Sequence, residues 1–291
     1  MSADTRATRR GDESDGNDHV VPGHLWAGLA LVAVAWPLNW GLEGMRTHLL
    51  FAPLWLGYVL VVDGLTVRRT GTSLLTRDRR TFWGLFALSA PVWWLFELLN
   101  LRLGNWEYLG RDRFTDLEYF LLASVSFSTV MPAVLGTAEL MRSFALFERF
   151  GRGPVVRPTP RLEAGLVLTG LAMLAAMLAW PRLFFPFAWT SLVLLLEPLA
   201  RRLRRRNLLD DLSRGDWRTW MALWAAGLTC GFFWEMWNVL CYPKWIYHIP
   251  GVGFWKVFEM PVLGYLGYLP FTLELYLLAQ LVLPRPGSLR A

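Results

Sequence analysis

Eight stretches of mainly apolar residues fill almost all of residues 24–283. Each is about 17–25 residues long, enough to cross the hydrocarbon layer of a bilayer as a helix. Their approximate limits are 24–42, 48–66, 82–101, 117–141, 162–180, 183–200, 219–239 and 258–283. A chain patterned this way is confined to a helical bundle, because backbone N–H and C=O groups in lipid must be satisfied within each segment. Composition agrees: 54% of the residues are hydrophobic and 18% charged, against roughly 45–50% and 25% in soluble domains.

Charge then orients the bundle. With eight spans threaded, all but seven of the 29 Lys and Arg residues fall on one side, in the N-terminal tail, the loops 67–81, 142–161 and 201–218, and the C-terminus. Arg46, Arg102, Arg111, Arg113, Arg182, Lys244 and Lys256 fall on the other. The positive-inside rule therefore predicts a multi-pass protein of a bacterial inner membrane with both termini cytoplasmic. Topology accounts for the net charge of +6, and no nucleic-acid partner is expected. Residues 1–20 mix both signs of charge with few core-forming side chains and read as a disordered cytoplasmic tail, and no cleavable signal pattern is evident.

The chain also matches itself. Phe51-x-x-x-Trp55-x-x-x-Val59-Leu60-x-x-Asp63 corresponds to Phe185-x-x-x-Trp189-x-x-x-Val193-Leu194-x-x-Glu197 at a shift of 134, and residues 78–100 align without a gap to 216–238. That second block pairs Asp78 with Asp216, Thr81 with Thr219, Glu97 with Glu235 and Asn100 with Asn238. Further on, Trp106-x-Tyr108 matches Trp245-x-Tyr247, Glu118 matches Glu259, and Pro132 matches Pro270. The expectation is an all-α polytopic protein of eight transmembrane helices, built as two fused four-helix repeats at 21–150 and 151–285, with a short tail at 286–291. An even number of spans per repeat gives the halves one orientation, so a pseudo-two-fold axis along the membrane normal and a site on that axis are expected.

Glu97 and Asn100, like Glu235 and Asn238, are three residues apart near the outer end of a helix and share one face. A carboxylate in hydrocarbon costs several kcal/mol and is retained with a cavity, a partner or a proton, commonly for function. The competing reading is a clamp in which each acid hydrogen-bonds its neighbouring amide as interhelical glue. Trp106 and Tyr108, or Trp245 and Tyr247, follow in the outer loop; they fit a ligand site beside Trp234, or equally an interfacial aromatic belt. Glu118 and Glu259 are candidate second carboxyls, or alternatively acids stabilised by a helix N-terminus. Asp63 and Glu197 read as interfacial anchors beside arginine clusters, while Glu274, four residues after Pro270, is a further candidate.

Several chemistries lack their parts. The four histidines form no HxxxH or HExxH pair, Cys230 and Cys241 have no CxxC spacing, and no GxSxG, Walker or Rossmann glycine pattern occurs. No metal and no cofactor are expected. What remains is carboxyl chemistry among aromatic faces, of which the 17 tryptophans are the best suited to hold a cation. A buried carboxylic acid can protonate an alkene while a second carboxylate removes a proton.

The acid in a helix followed by Gly104-Asn105-Trp106-Glu107-Tyr108, and again Glu235 with Trp245-Ile246-Tyr247 and Glu259-Met260-Pro261, resembles the membrane-embedded lycopene cyclases of the small-subunit bacterial, archaeal and fungal type. The resemblance covers about 60 residues per half; the family's Pro-x-Glu-Glu element is not found, since Glu259 precedes its proline and Glu118 has none nearby. It implies a helical-repeat fold and a cofactor-free isomerase or cyclase acting on a long apolar isoprenoid or polyene. Glu97, Glu235, Glu118 and Glu259 would then be catalytic, with Asn100, Asn238, Trp106, Tyr108, Trp234, Trp245 and Tyr247 binding the substrate. A lipid or small-molecule transporter and a structural assembly factor are the alternatives.

Overall fold

The computed structural model describes residues 20–42, 44, 47–283, 289 and 290. The N-terminal tail before Val20 and the side chain of Arg46 lie outside them. The fold is all-α with two small two-stranded antiparallel sheets. Its long helices are α1 (Gly23–Gly41), α2 (Thr47–Thr70), α4 (Arg79–Leu103), α7 (Pro160–Ala179), α9 (Phe187–Arg202), α11 (Arg218–Asn238) and α12 (Tyr268–Val282), with α5 (Asp116–Phe127) and α6 (Val130–Arg142) following end to end. Short helices α3 (Leu74–Arg77), α8 (Pro181–Phe184) and α10 (Leu208–Ser213) sit in the connections. Strands β1 (Trp106–Leu109) and β2 (Lys244–Tyr247) pair with each other, as do β3 (Lys256–Val257) and β4 (Met260–Pro261).

Among the described residues, five helical segments are long and apolar enough to cross a membrane: 49–70, 79–103, 116–142, 160–179 and 262–282. Helix α7 illustrates the fit, because it buries only Gly170 and Met177 and exposes Leu168, Leu171 and Leu178. A helix apolar all round with so little buried is suited to lipid.

Lipid tails are as apolar as leucine, so helices in a bilayer associate through close van der Waals packing rather than by escaping water. Helix α1 lies along α2 in this way: a Cβ on Gly28 would stand 2.8 Å from both the Gly57 carbonyl oxygen and the Val61 nitrogen. The core is heavily aromatic. Trp55 packs on Trp234 and Trp237 with ring centroids 5.0 Å apart in each pair, and Phe271 lies against Trp93, Phe96 and Trp189.

Two expected spans are interrupted. The stretch 117–141 breaks at Ser128 and Thr129, where Ser89 of α4 bridges the gap by donating to the Phe127 carbonyl (2.5 Å) and accepting from the Met131 N–H (3.0 Å). Residues 258–267 are not α-helical as expected but form the β3–β4 hairpin and a 3₁₀ segment, so α12 begins only at Tyr268.

The short helices are held by acids that recur along the chain. Asp63 accepts from the Leu75 N–H (3.1 Å) and Glu197 from the Leu209 N–H (2.6 Å), while Ser73 and Asn207 are the N-caps of α3 and α10. Asp78 accepts the Arg80 N–H and Asp216 the Arg218 N–H, each 2 residues on. Asp63 and Glu197 thus bind turns of their own chain, with His24 also on Asp63 at 3.0 Å. Of the expected C-terminal tail, Leu289 is buried and its carbonyl accepts from Arg206 (2.8 Å); the stretch 284–288 and Ala291 lie outside the described residues.

Candidate functional site

Helix α4 ends at Gly104, whose left-handed φ of +62° suits glycine and turns the chain out toward β1. The turn is tied back by Asn100: its Nδ2 donates to the Trp106 carbonyl (2.8 Å) and its Oδ1 accepts from the Asn105 N–H (2.9 Å) and the Trp106 N–H (3.3 Å). Asn238 at the end of α11 does the same, donating to the Trp245 carbonyl (2.8 Å) and accepting from the Trp245 N–H (3.0 Å). The asparagines therefore fasten the strands and do not line the cavity as expected. Neither bonds its neighbouring glutamate, so the amide clamp is not the arrangement present. A side chain three residues on shares the helix face, but the unpaired backbone groups just past the helix end compete for the amide.

Fixed in this way, β1 and β2 pair antiparallel with Trp106 opposite Tyr247 and Tyr108 opposite Trp245. Each strand sends its alternate aromatics inward to an acid. Glu97 Oε1 accepts from Tyr108 OH (2.6 Å), Trp93 Nε1 (2.8 Å) and Trp106 Nε1 (3.1 Å). Glu235 Oε1 accepts from Tyr247 OH (2.7 Å) and Tyr268 OH (2.8 Å), and Trp245 Nε1 donates to Tyr247 OH (2.9 Å). Glu235 is 0% exposed and its Oε2 has no partner. Burial, and then the nearby glutamate, push the Tyr108 and Tyr247 phenols well above their usual range, which keeps both as hydrogen-bond donors.

These aromatic groups wall one cavity of about 480 Å³. Trp93, Trp106, Tyr108, Trp234, Trp245, Tyr247 and Tyr268 all line it, together with Phe51, Trp189 and Phe271. The carboxyls of Glu97 and Glu235 lie behind this wall. Trp234 stacks on Tyr268 at 5.9 Å, and Trp106 on Trp189 at 6.2 Å, so these lining rings are held against one another. A lining so apolar, with a few aimed hydroxyl and indole groups, is the usual character of a small-molecule pocket.

The structure does not bring four carboxyls together. Glu118 is exposed and completes a capping box with Thr115, which accepts its N–H while Glu118 Oε2 accepts the Thr115 N–H (2.9 Å). Its position at the first turn of α5 explains it. Glu259 stands between β3 and β4, not at a helix entrance, and is paired with Lys244. Glu139 pairs with Arg77 at 2.8 Å. Glu274 is fully buried with both oxygens unpartnered, away from the cavity lining.

Two residues that hydrogen-bond the acids went unread in the sequence. Trp93 is one helical turn before Glu97, so its spacing carried the signal. Tyr268 comes from a different helix, and no local spacing points to it. No family model, curated protein or solved structure matches the chain.

Proposed function

We propose that the chain is an integral membrane enzyme that needs no cofactor and moves protons on a long apolar isoprenoid or polyene, in the manner of an isomerase or cyclase. The observation that carries this is the shared cavity, lined by the same tyrosines and tryptophans whose hydroxyls and indoles bind Glu97 and Glu235. Proton transfer to an alkene makes a carbocation, and tryptophan faces stabilise cations once water is excluded. The resemblance to the membrane-embedded lycopene cyclases fits that chemistry.

We place eight helical segments across an inner membrane, the α5–α6 and α8–α9 pairs each counting as one, with the arginine-rich loops and both termini cytoplasmic. The paired roles of Asp63 and Glu197, Asp78 and Asp216, and Asn100 and Asn238 support two repeats. So does the β1–β2 register, since exchanging the strands maps Trp106/Tyr247 onto Trp245/Tyr108, as a two-fold axis between them requires.

The test is the mass spectrum and absorbance of lipids extracted from cells with and without the protein. An enzyme of this class gives a product whose mass equals that of a lipid depleted relative to the control cells. Identical isoprenoid profiles would reject the reading.

A further inference from the structure

The two acids are not equivalent, and the difference lies in which groups separate each from the cavity. Trp93, on the same helix as Glu97, gives that acid an indole N–H. The residue aligned with Trp93 in the second half is Gly231. A Cβ there would lie 2.5 Å from Tyr268 Cδ2 and Cε2, so the missing side chain is what admits the Tyr268 ring. By contact with the aligned positions 89 and 227, the counterpart of Tyr268 is Phe127 and not Val130, which the Pro132–Pro270 match would give. The Phe127 carbonyl meets Ser89, and the Tyr268 carbonyl meets the aligned Gly227, whose Cβ would stand 2.8 Å from it.

The exchange of Trp93 and Phe127 for Gly231 and Tyr268 replaces an indole with a phenol. An indole N–H donates and does nothing else; a hydroxyl both donates and accepts, so it can pass a proton on. Glu97 is held by two indoles and one hydroxyl, all on Oε1, a setting for a fixed carboxylate. The direct bonds on Glu235 Oε1 come from the Tyr247 and Tyr268 hydroxyls, with the Trp245 indole on Tyr247 OH, and its buried Oε2 has none.

Resting on the acid–base reading above, we propose that Tyr268 is the residue that hands a proton between Glu235 and the ligand, while Glu97 is a fixed counter-charge for the cation. The Tyr268 O–H bond breaks as the π pair of a ligand alkene takes the proton to form a C–H bond. The acid proton of Glu235, carried on the Oε1 that Tyr268 touches, refills the phenolate, leaving a carboxylate. Loss of a proton from a carbon beside the cation then turns that C–H pair into a new double bond, and the proton returns through Tyr268 to Glu235. The ligand keeps its composition, and no oxidant or co-reactant enters.

The experiment uses purified protein in phospholipid vesicles in D₂O, supplied with the total isoprenoid extract of cells lacking the protein, with deuterium uptake read by mass spectrometry. Wild-type protein should label a lipid with deuterium, Tyr268→Phe should lower the rate about 100-fold or more, and Glu118→Gln, altered at an exposed helix cap outside the cavity, should match wild type. A 3,5-difluorotyrosine at position 268, a more acidic phenol of nearly the same size, should move the pH profile of uptake to lower pH, which a merely structural tyrosine would not do. Full activity of Tyr268→Phe, an unmoved profile, or an equal loss in Glu118→Gln would overturn the division of roles and leave the acid–base reading standing. Absence of deuterium with wild type would overturn that reading itself, and this inference with it.

Discussion

Trp106 stands opposite Tyr247 across the β1–β2 pair, and the residues two along, Tyr108 and Trp245, stand opposite each other in the reverse sense. The pairing joins strands 138 residues apart in sequence and roofs the cavity with the four aromatic side chains that reach toward Glu97 and Glu235. The strands hold this register because Asn100 and Asn238 bind the backbone where each begins.

Removing either amide should loosen the roof. Asn238→Ala leaves the Trp245 N–H and carbonyl without their partner at a fully buried site and should cost about 1–3 kcal/mol. Asn100 is half-buried, so water can replace part of its bonding and Asn100→Ala should cost less. Unfolding of the detergent-solubilised variants by denaturant checks the order, and equal losses would argue against it.

The close approach of α1 to α2 sets a second expectation. Gly28→Ala places a methyl group against backbone atoms that have no rotamer to yield, so the helices must separate, at about 1–3 kcal/mol. A fall in thermal midpoint without loss of lipid activity is the expected pair of results.

An acid limb in stability should come from the loop before α11. Asp216 accepts from the Arg218 guanidinium at 2.8 and 2.9 Å, and this holds its carboxyl below the usual range. A lowered folded value means the stabilisation is complete above the ordinary aspartate value of about 4 and is lost as pH falls through the folded one. Asp216→Asn should flatten the midpoint of unfolding between about pH 4 and lower values; an unchanged slope would assign the acid limb to other carboxyls.

Topology can be read with the native cysteines in place, since Cys230 and Cys241 are both buried. Val155 and Asp112 are exposed. In intact cells Asp112→Cys should react with an impermeant thiol reagent and Val155→Cys should resist it until the membrane is opened. The reverse pattern would invert the assigned orientation.

The helices were legible because a spanning helix satisfies its own backbone and needs only a long apolar run. The break at Ser128 was not, because it depends on Ser89 reaching in from α4. Residues 258–267 are apolar enough to pass for helix, yet Pro261 and Gly264 belong to a hairpin and a 3₁₀ segment. Within the site, Glu97, Trp106 and Tyr108 were readable from their repetition at matched spacing. The partners of Asn100 were misjudged because loop backbone lay closer than the helix neighbour, and Tyr268 was hidden because its partner Glu235 is 33 residues away on another helix.

The most direct measurement is the lipid profile of cells making Glu235→Gln, compared with wild type and with Glu118→Gln. Glutamine keeps the size and the acceptor oxygen that Tyr247 and Tyr268 use, but it carries no acid proton. The account predicts that Glu235→Gln is made in normal amounts and loses the change in isoprenoids, whereas Glu118→Gln, altered at an exposed helix cap, retains it. A fully active Glu235→Gln protein would contradict the account.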